Sequence, residues 1–379
     1  MSYEEITAAS AGEKIYSVKA LRKRGLIRPF ERDYTVAKQT IESQPWRNAN
    51  YHFAQYQLHE ERYEFTNARR RTEAESFQEM ADELTIYFVA QRLKQACAAL
   101  SHKAVSKAEY RLDFIVQIID FLNDKNLSDY PVVAVYYHCY MALSTSDLSS
   151  SFEKVKMLIR ENGHFFPRDE LKDIYLLAIN YCIRQLNEGH QAFLDEVFGL
   201  YQQGLEQEVF FENGLLSRFT YNNILRAALA LKAFDWAELF LHQYRERIDP
   251  KHGDSVFNYN LAVLYFRKPD YASAMHLLQR AEFKDPLHNL DGRRMLLRIY
   301  FDLGEWDALS SLLDSFKTYL YRQKKVLGYH FDSYLNLLKF AKRIMNLYPS
   351  DGKGRENLFR EIENTALLTE KEWLLEQLK

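Results

Sequence analysis

The amino-acid sequence predicts an all-α protein, a right-handed α-solenoid built from antiparallel helical hairpins. An acid followed by an aromatic residue recurs every 35 residues, at Asp235-Trp236, Asp270-Tyr271 and Glu305-Trp306. The 379 residues include only 13 glycines and 8 prolines, which is typical of long helices joined by short links. Apolar residues also recur at helical spacing. A fixed interval of this length indicates stacked copies of one helical unit.

Residues 1–219 are predicted to form degenerate helical repeats. Two helices within residues 11–44 meet at Gly25, and two long helices follow over residues 48–71 and 72–107. Shorter helices are expected near residues 112–119, from Pro131 to about Leu143, over residues 149–161, and after Pro167. Apolar stripes at helical spacing are formed by Phe30, Tyr34, Ala37 and Ile41, by Met80, Leu84, Tyr87 and Phe88, and by Leu112, Ile115, Val116 and Ile119. In the helix after Pro167 the predicted buried stripe is Leu171, Ile174, Tyr175, Ala178 and Cys182.

Two Asn-Gly steps, at 162–163 and 213–214, are compatible with β-hairpin turns. No alternating strand pattern flanks either step. We therefore expect each step to form a helix C-cap or a turn between helices.

Residues 220–316 contain the recurring unit, and its best copy runs from Ser255 to Pro286. Pro269-Asp270 breaks a first helix and starts a second. The small residues Ala262 and Ala274 predict a close approach of the two helices. The inner face of the first helix is predicted from Leu261, Ala262 and Tyr265, and that of the second from Ala274, Leu277, Leu278 and Ala281.

This order of residues resembles the tetratricopeptide repeat, with Pro269 where that family has a turn glycine. The matching residues are Ala262, Tyr265, Tyr271, Ala274, Ala281 and Pro286, then Tyr300, Gly304 and Trp306 in the next copy and Ala227, Trp236 and Pro250 in the preceding one. The chain is also similar to bacterial proteins built on such repeats, a resemblance that carries no activity with it. In such arrays the first helix of each unit lines the concave face.

Residues 317–379 are predicted to be helices that cap the array. Gly328 breaks the chain before a helix over residues 331–348, and a turn at 349–354 precedes another. The last helix is expected to start at Thr369, which forms a capping box with Glu372. Trp373, Leu374 and Leu378 are expected to dock this helix onto the array.

The sequence carries no pattern that predicts catalysis or a cofactor. It has no HExxH, CxxC or GxSxG motif, so we expect no catalytic residue, no metal, no cofactor and no enzyme activity. The turn Gly352-Lys353-Gly354 lacks phosphate-loop spacing. Three widely spaced cysteines, a start without an apolar leader and the absence of a long uncharged run predict a cytoplasmic chain without a membrane partner.

The predicted function is non-catalytic binding of a protein or peptide, or scaffolding, through the concave face. Aromatic and Arg side chains there suit a peptide that bears carboxylates. The candidate residues are Asn222, Tyr259, Phe266, Arg294, Arg298 and Phe301. Packing between repeats is an open alternative for these residues, with Asp291 or Asp302 neutralising the two arginines.

Two other functions are kept as alternatives. One is a regulatory sensor that closes on a peptide or small ligand. The other is RNA binding by the basic runs 22–24 and 69–71 beside Tyr51, Tyr56 and Tyr63. The net charge of −2 does not favour nucleic acid.

Overall fold

The computed structural model describes residues 3–69, 76–103, 106, 108–123, 130–144, 150–280, 286–348 and 351–379, with the backbone alone for residues 3–9 and 280. It is almost entirely helical, so the all-α prediction is confirmed. The chain folds as two compact units, residues 1–210 and 211–379. The predicted division at residues 219 and 316 stays a prediction.

Unit 1 consists of nine labelled helices and one short 3₁₀ turn at Gly163–Phe165 within the described residues. The helices are α1 Tyr3–Lys23, α2 Ile27–Glu42, α3 Ala49–Asn67, α4 Phe77–Lys103, α5 Ile115–Asn123, α6 Pro131–Ser144, α7 Ser150–Asn162, α8 Arg168–Asn187 and α9 Phe193–Glu206.

The predicted stripes of α2 and α8 are buried, apart from a half-buried Tyr34. The apolar stripes of α4 and α5 do not coincide with the buried faces of those helices, although Ile115 of α5 is buried. Leu84 and Phe88 of α4 are 43% and 44% exposed, and Val116 of α5 is 65% exposed. The face of α4 that packs on α3 and α6 instead carries Ile86, Val89, Ala90, Leu93, Ala96 and Cys97. A long helix with apolar residues on two faces does not reveal by spacing alone which face is covered.

A polar cluster joins four helices inside unit 1. The buried carboxylate of Glu170 on α8 accepts hydrogen bonds from Asn48 Nδ2 at 2.8 Å and from Tyr136 Oη at 2.9 Å. Lys94 Nζ donates to it at 3.0 Å. Because α4, α6 and the residue that caps α3, Asn48, each supply one donor, the buried charge is satisfied and the helices are fixed relative to one another.

Unit 2 begins with a two-stranded hairpin and continues as helices. The elements are β1 Phe211–Glu212, β2 Leu215–Leu216, α10 Arg218–Ala230, α11 Phe234–Gln243, a 3₁₀ turn at Arg245–Arg247, α12 Gly253–Arg267, α13 Tyr271–Arg280, α14 Pro286–Leu303, α15 Trp306–Leu327, α16 Tyr329–Met345, α17 Gly352–Asn364 and α18 Lys371–Glu376.

The step Asn213-Gly214 forms a β-hairpin turn, so the prediction of a plain inter-helix turn is wrong there. Asn213 and Gly214 have φ of 50° and 79°, and Phe211 pairs with Leu216 in an antiparallel register. Two successive positive φ values are what a tight two-residue hairpin requires, and Asn-Gly adopts them at low cost. The strands are too short to show an alternating pattern in the sequence.

The helical pairs of unit 2 recur, but not at one fixed interval. Each first helix ends in a turn whose backbone N–H bonds to a carbonyl five residues earlier: Ala233 to Ala228, Asp270 to Tyr265 and Glu305 to Tyr300. The equivalence of Tyr265 and Tyr300 is thereby confirmed. From Ala228 to Tyr265 the interval is 37 residues, and from Tyr265 to Tyr300 it is 35.

The first helical pair is therefore offset by two residues from the 35-residue interval that the sequence predicts. Ala237, Ala274 and Leu309 are all 0% exposed, whereas Leu239, the expected equivalent, is 63% exposed. The acid-aromatic pair at 235–236 matches the other two pairs in residue type but not in position. The correct partner of Asp270-Tyr271 is Ala233-Phe234, which has no acid.

The C-terminal helices differ from prediction at the last cap. Trp373, Leu374 and Leu378 are buried in the core of unit 2, as expected. The capping box is wrong, because α18 begins after Glu370, which has a φ of 58° and no side-chain cap bond. Thr369 Oγ1 lies 2.7 Å from Ser333 Oγ on α16 instead. The predicted turn at 349–354 lies partly outside the described residues.

Candidate functional site

A pocket of about 430 Å³ lies among the first helices of consecutive pairs in unit 2. Helix α10 contacts α12, and α12 contacts α14, so these first helices form a row. The pocket is lined from α10 by Phe219, Asn222, Asn223 and Arg226, from α12 by Tyr259, from α14 by Leu287, His288, Leu290 and Asp291, and from α16 by His330 and Tyr334. No lining residue comes from a second helix of the first three pairs.

An amide pair fixes the orientation of Asn222. Asn260, which is buried on α12, donates its Nδ2 to the Val256 carbonyl at 2.8 Å and to Asn222 Oδ1 at 2.7 Å. Because Asn260 must be the donor in both bonds, Asn222 contributes its oxygen and keeps its NH₂ group as a donor. That group belongs to a side chain that lines the pocket.

Arg226 is the exposed cation of this pocket. It forms no ion pair or hydrogen bond within the described part of the chain. It lies one helical turn after Asn222, so the two side chains share a face of α10. Arg226 lies close enough to Tyr259 to act on its phenol. Burial raises the pKa of that phenol above its ordinary range, and the positive charge of Arg226 lowers it.

An aromatic wall faces these polar groups. The rings of Tyr259 and His288 are stacked, with centroids 3.9 Å apart and planes 9° apart. Phe219, at the start of α10, is 67% exposed. The pocket therefore combines stacked aromatic area with amide and guanidinium donors.

The Tyr259 hydroxyl starts a chain of partly buried charges that leads away from the pocket. It donates to Asp291 Oδ2 at 2.8 Å, and Arg294 Nε donates to Asp291 Oδ1 at 2.6 Å. Arg294 also pairs with Glu370, whose other oxygen accepts from Arg298 Nη1 at 3.0 Å. Burial alone would raise the pKa of Asp291, but Arg294 and the hydrogen bonds hold that pKa below its ordinary value.

The aromatic members of the predicted site belong to the same cluster. Arg294 and Arg298 lie over the Phe266 ring, at 5.5 and 5.3 Å from its centroid. Phe301 packs edge-on against Trp373 of α18, with centroids 5.1 Å apart. The C-terminal segment thus covers these residues.

The six predicted residues therefore separate into two groups. Asn222 and Tyr259 line the pocket, whereas Phe266, Arg294, Arg298 and Phe301 belong to the cluster that the chain's own C-terminal segment covers. Asp291 neutralises Arg294, as the packing alternative required. Asp302 does not pair with either arginine in the described contacts, because it accepts from Tyr271 and Trp373.

Sequence reasoning missed Glu370, Arg226 and the two pocket histidines, His288 and His330. Glu370 lies 76 residues from Arg294, and nothing local links them. Arg226 could have been found, because it stands four residues after the candidate Asn222 on the same predicted helix.

The basic runs proposed for RNA are partly engaged by the protein. Arg22 Nε donates to the buried Glu61 carboxylate at 2.5 Å. Arg69 lies over the Phe65 ring at 3.7 Å, and residues 70 and 71 lie outside the described residues. Tyr56 donates to Glu60 at 2.6 Å.

Within the described residues, no group of three or more His, Cys, Asp or Glu side chains has a geometry that could hold a metal ion. No described helix is both long enough and apolar enough to cross a membrane.

Comparison with known protein families, with curated proteins and with solved structures finds no match to this chain.

Proposed function

We propose that this chain is a non-catalytic interaction protein, a cytoplasmic TPR-like right-handed solenoid that binds a peptide bearing carboxylates between its first helices. The observation that carries the proposal is Arg226, which forms no salt bridge or hydrogen bond in the described part of the chain although its charge lowers the pKa of Asp291, beside the oriented amide of Asn222 in a pocket of about 430 Å³. That volume lies within the usual range for binding sites, roughly 300–1,000 Å³.

The chemistry of the pocket favours an acidic peptide over a neutral one. A guanidinium presents a planar fork of donors that matches a carboxylate. The NH₂ group of Asn222 adds a donor suited to a carboxylate or a peptide carbonyl. The stacked Tyr259 and His288 rings offer apolar area for a neighbouring side chain.

Selection of a random peptide library displayed on phage tests this proposal. We expect peptides recovered on the full-length protein to be enriched in Asp and Glu. Arg226→Ala should weaken their binding by at least about tenfold, because a charge-assisted contact is worth roughly 1.5–3 kcal/mol. Fluorescence polarisation with labelled peptides measures the Kd.

The matched control is Arg267→Ala, which removes an exposed arginine of α12 that is not among the pocket-lining residues. It should leave the Kd within about twofold of the wild-type value, as expected for a change outside the site. Peptides without acidic enrichment, or equal affinity for the wild type and Arg226→Ala, would show that this pocket is not the binding site.

A further inference from the structure

A second cavity lies elsewhere in unit 2, between α15, α16 and the start of α17. It is an open groove of about 870 Å³. None of its lining residues belongs to the pocket between the first helices. What binds in it is therefore a separate question from the proposed function.

The floor of the groove carries leucines from three helices. Leu313, Leu338 and Leu358, one from each helix, are buried at 3%, 5% and 2% exposure. Leu335 is half-buried, and Tyr321 remains 54% exposed at one side. The leucines from three helices thus form a buried floor, and the apolar surface that stays accessible belongs to Leu335, Leu347 and Tyr321.

Four cations surround these leucines: Lys317 on α15 and Lys339, Lys342 and Arg343 on α16. The Glu361 carboxylate on α17 takes up two of them, because it accepts from Lys339 at 2.8 Å and from Arg343 at 2.5 Å. These contacts hold the pKa of Glu361 below its ordinary value.

The other two cations are poorly compensated. Lys342 Nζ lies 3.8 Å from Asp314, and both side chains are more than half exposed, so that pair contributes little. Lys317 is exposed and forms no ion pair within the described part of the chain. Counting Glu361 and Asp314 against the four cations leaves an excess charge of +2 along the groove.

The length of the groove fits a helix. Its lining runs from Leu313 to Tyr321 on α15 and from Leu335 to Arg343 on α16. Each stretch rises about 12 Å, which is a little more than two helical turns. An amphipathic helix that docks in a groove makes its contacts at i, i+3 or i+4, and i+7, over the same distance.

We propose that this groove docks an acidic amphipathic helix of a partner protein. Apolar side chains of the partner pack on Leu335, Leu347 and Tyr321, above the buried leucines, and its flanking Asp or Glu residues face Lys317 and Lys342. A fatty carboxylate fits less well, because the cations are spread along both walls and one headgroup reaches only one end.

A display library of amphipathic helices tests the proposal on the full-length protein. Each helix has about 18 residues, or five turns, with the apolar face drawn from Leu, Ile, Phe and Met and the flanks drawn from Glu, Gln and Lys. We expect the recovered helices to carry Glu on both flanks. Their affinity should fall as NaCl is raised, because the contacts are exposed charge pairs.

Two charge-matched variants locate the binding surface. The pair Lys317→Glu with Lys342→Glu should raise the Kd of the recovered helices at least about tenfold, since attraction becomes repulsion. The pair Arg322→Glu with Lys325→Glu changes the net charge equally at exposed positions of α15 outside the groove, and it should have little effect. Arg226→Ala should have none, which separates this site from the first-helix pocket.

Four outcomes would overturn the proposal. These are recovery of no helix, recovery of helices with neutral or basic flanks, an equal loss of affinity in both charge-reversed pairs, and tighter binding of dodecanoate than of any recovered helix. The last would assign the groove to a fatty carboxylate. If thermal melting shows that the groove pair unfolds, Lys317→Gln with Lys342→Gln replaces it under the same criteria.

Discussion

Two first helices of unit 2 each carry a pair of polar residues four positions apart. One pair lines a pocket, and the other is bound by the chain's own C-terminal segment. On α10, Asn222 and Arg226 line a pocket, and Arg226 forms no salt bridge within the described residues. On α14, Arg294 and Arg298 both pair with Glu370 of the C-terminal segment. The spacing of four residues places each pair on one face. Whether that face is open depends on a segment more than 70 residues away.

The comparison separates structural arginines from arginines that are available for binding. The side chains of Arg294 and Glu370 are 15% and 16% exposed, so removing either partner leaves a largely buried charge uncompensated. Arg226 is exposed, so its removal leaves no buried charge without a partner. Stability and binding should therefore respond in opposite ways to changes in the two regions.

The largest expected effect is a loss of stability in Glu370→Ala. Arg294 and Arg298 would lose their shared carboxylate, and we expect the free energy of unfolding to fall by about 3–5 kcal/mol. Urea denaturation followed by circular dichroism measures this change. The double variant Arg294→Ala with Arg298→Ala should also destabilise the protein, because it leaves Glu370 and Asp291 without their cations.

The matched control is Glu372→Ala. This exposed carboxylate also belongs to α18 and forms no ion pair within the described part of the chain. Its loss should change the free energy of unfolding by less than about 0.5 kcal/mol. Equal stabilities of Glu370→Ala and Glu372→Ala would contradict a structural role for the cluster and make Arg294 and Arg298 binding candidates again.

An intermediate effect is expected where the second helix of each pair approaches the first. Ala237→Trp and Ala274→Trp each insert a large ring at a position that is 0% exposed, and each should destabilise by roughly 1–3 kcal/mol. Thermal and urea denaturation measure the loss. Ala272→Trp, at an exposed position of α13, and Leu239→Ala should have small effects. A large loss in Leu239→Ala with none in Ala237→Trp would restore the uniform 35-residue interval.

The sequence predicted most elements of the fold because helices depend on local patterns. The stripes of α2 and α8, the break at Pro269-Asp270 and the burial of Trp373 were all predicted from spacing and residue type. The two-residue shift of the first copy was missed because an acid and an aromatic happened to recur at 235–236. A hydrogen-bonded turn defines the correct alignment, and its backbone hydrogen bonds do not require particular residue types.

The candidate site was only half predictable for a related reason. Helical register places Asn222, Tyr259, Arg294 and Arg298 on first helices, and the structure agrees. It cannot show that Glu370 covers part of that row, because a contact across 76 residues has no periodic signature. The groove beside Lys317 was missed because three helices create it together.

The smallest expected effect concerns the turn at Pro269, between the two helices of the best repeat, where the substitution Pro269→Gly should stabilise the protein. The equivalent turn residues Lys232 and Gly304 have φ of 57° and 71°. A proline ring holds φ near −65°, so proline is poorly suited to this position of the turn. Lys232 and Gly304 also donate their N–H to Leu229 and Phe301, both at 3.1 Å.

Proline has no N–H, so the corresponding bond to the Phe266 carbonyl cannot form at position 269. Pro269→Gly removes the ring's constraint on φ and restores this donor. It also makes the unfolded chain more flexible, which offsets part of the gain. We expect a net increase of about 1 kcal/mol in the free energy of unfolding, measured by urea denaturation. The reverse change, Lys232→Pro, should destabilise the protein by introducing both defects. A decrease in stability for Pro269→Gly would mean that the turn at Pro269 does not adopt the conformation of its two counterparts.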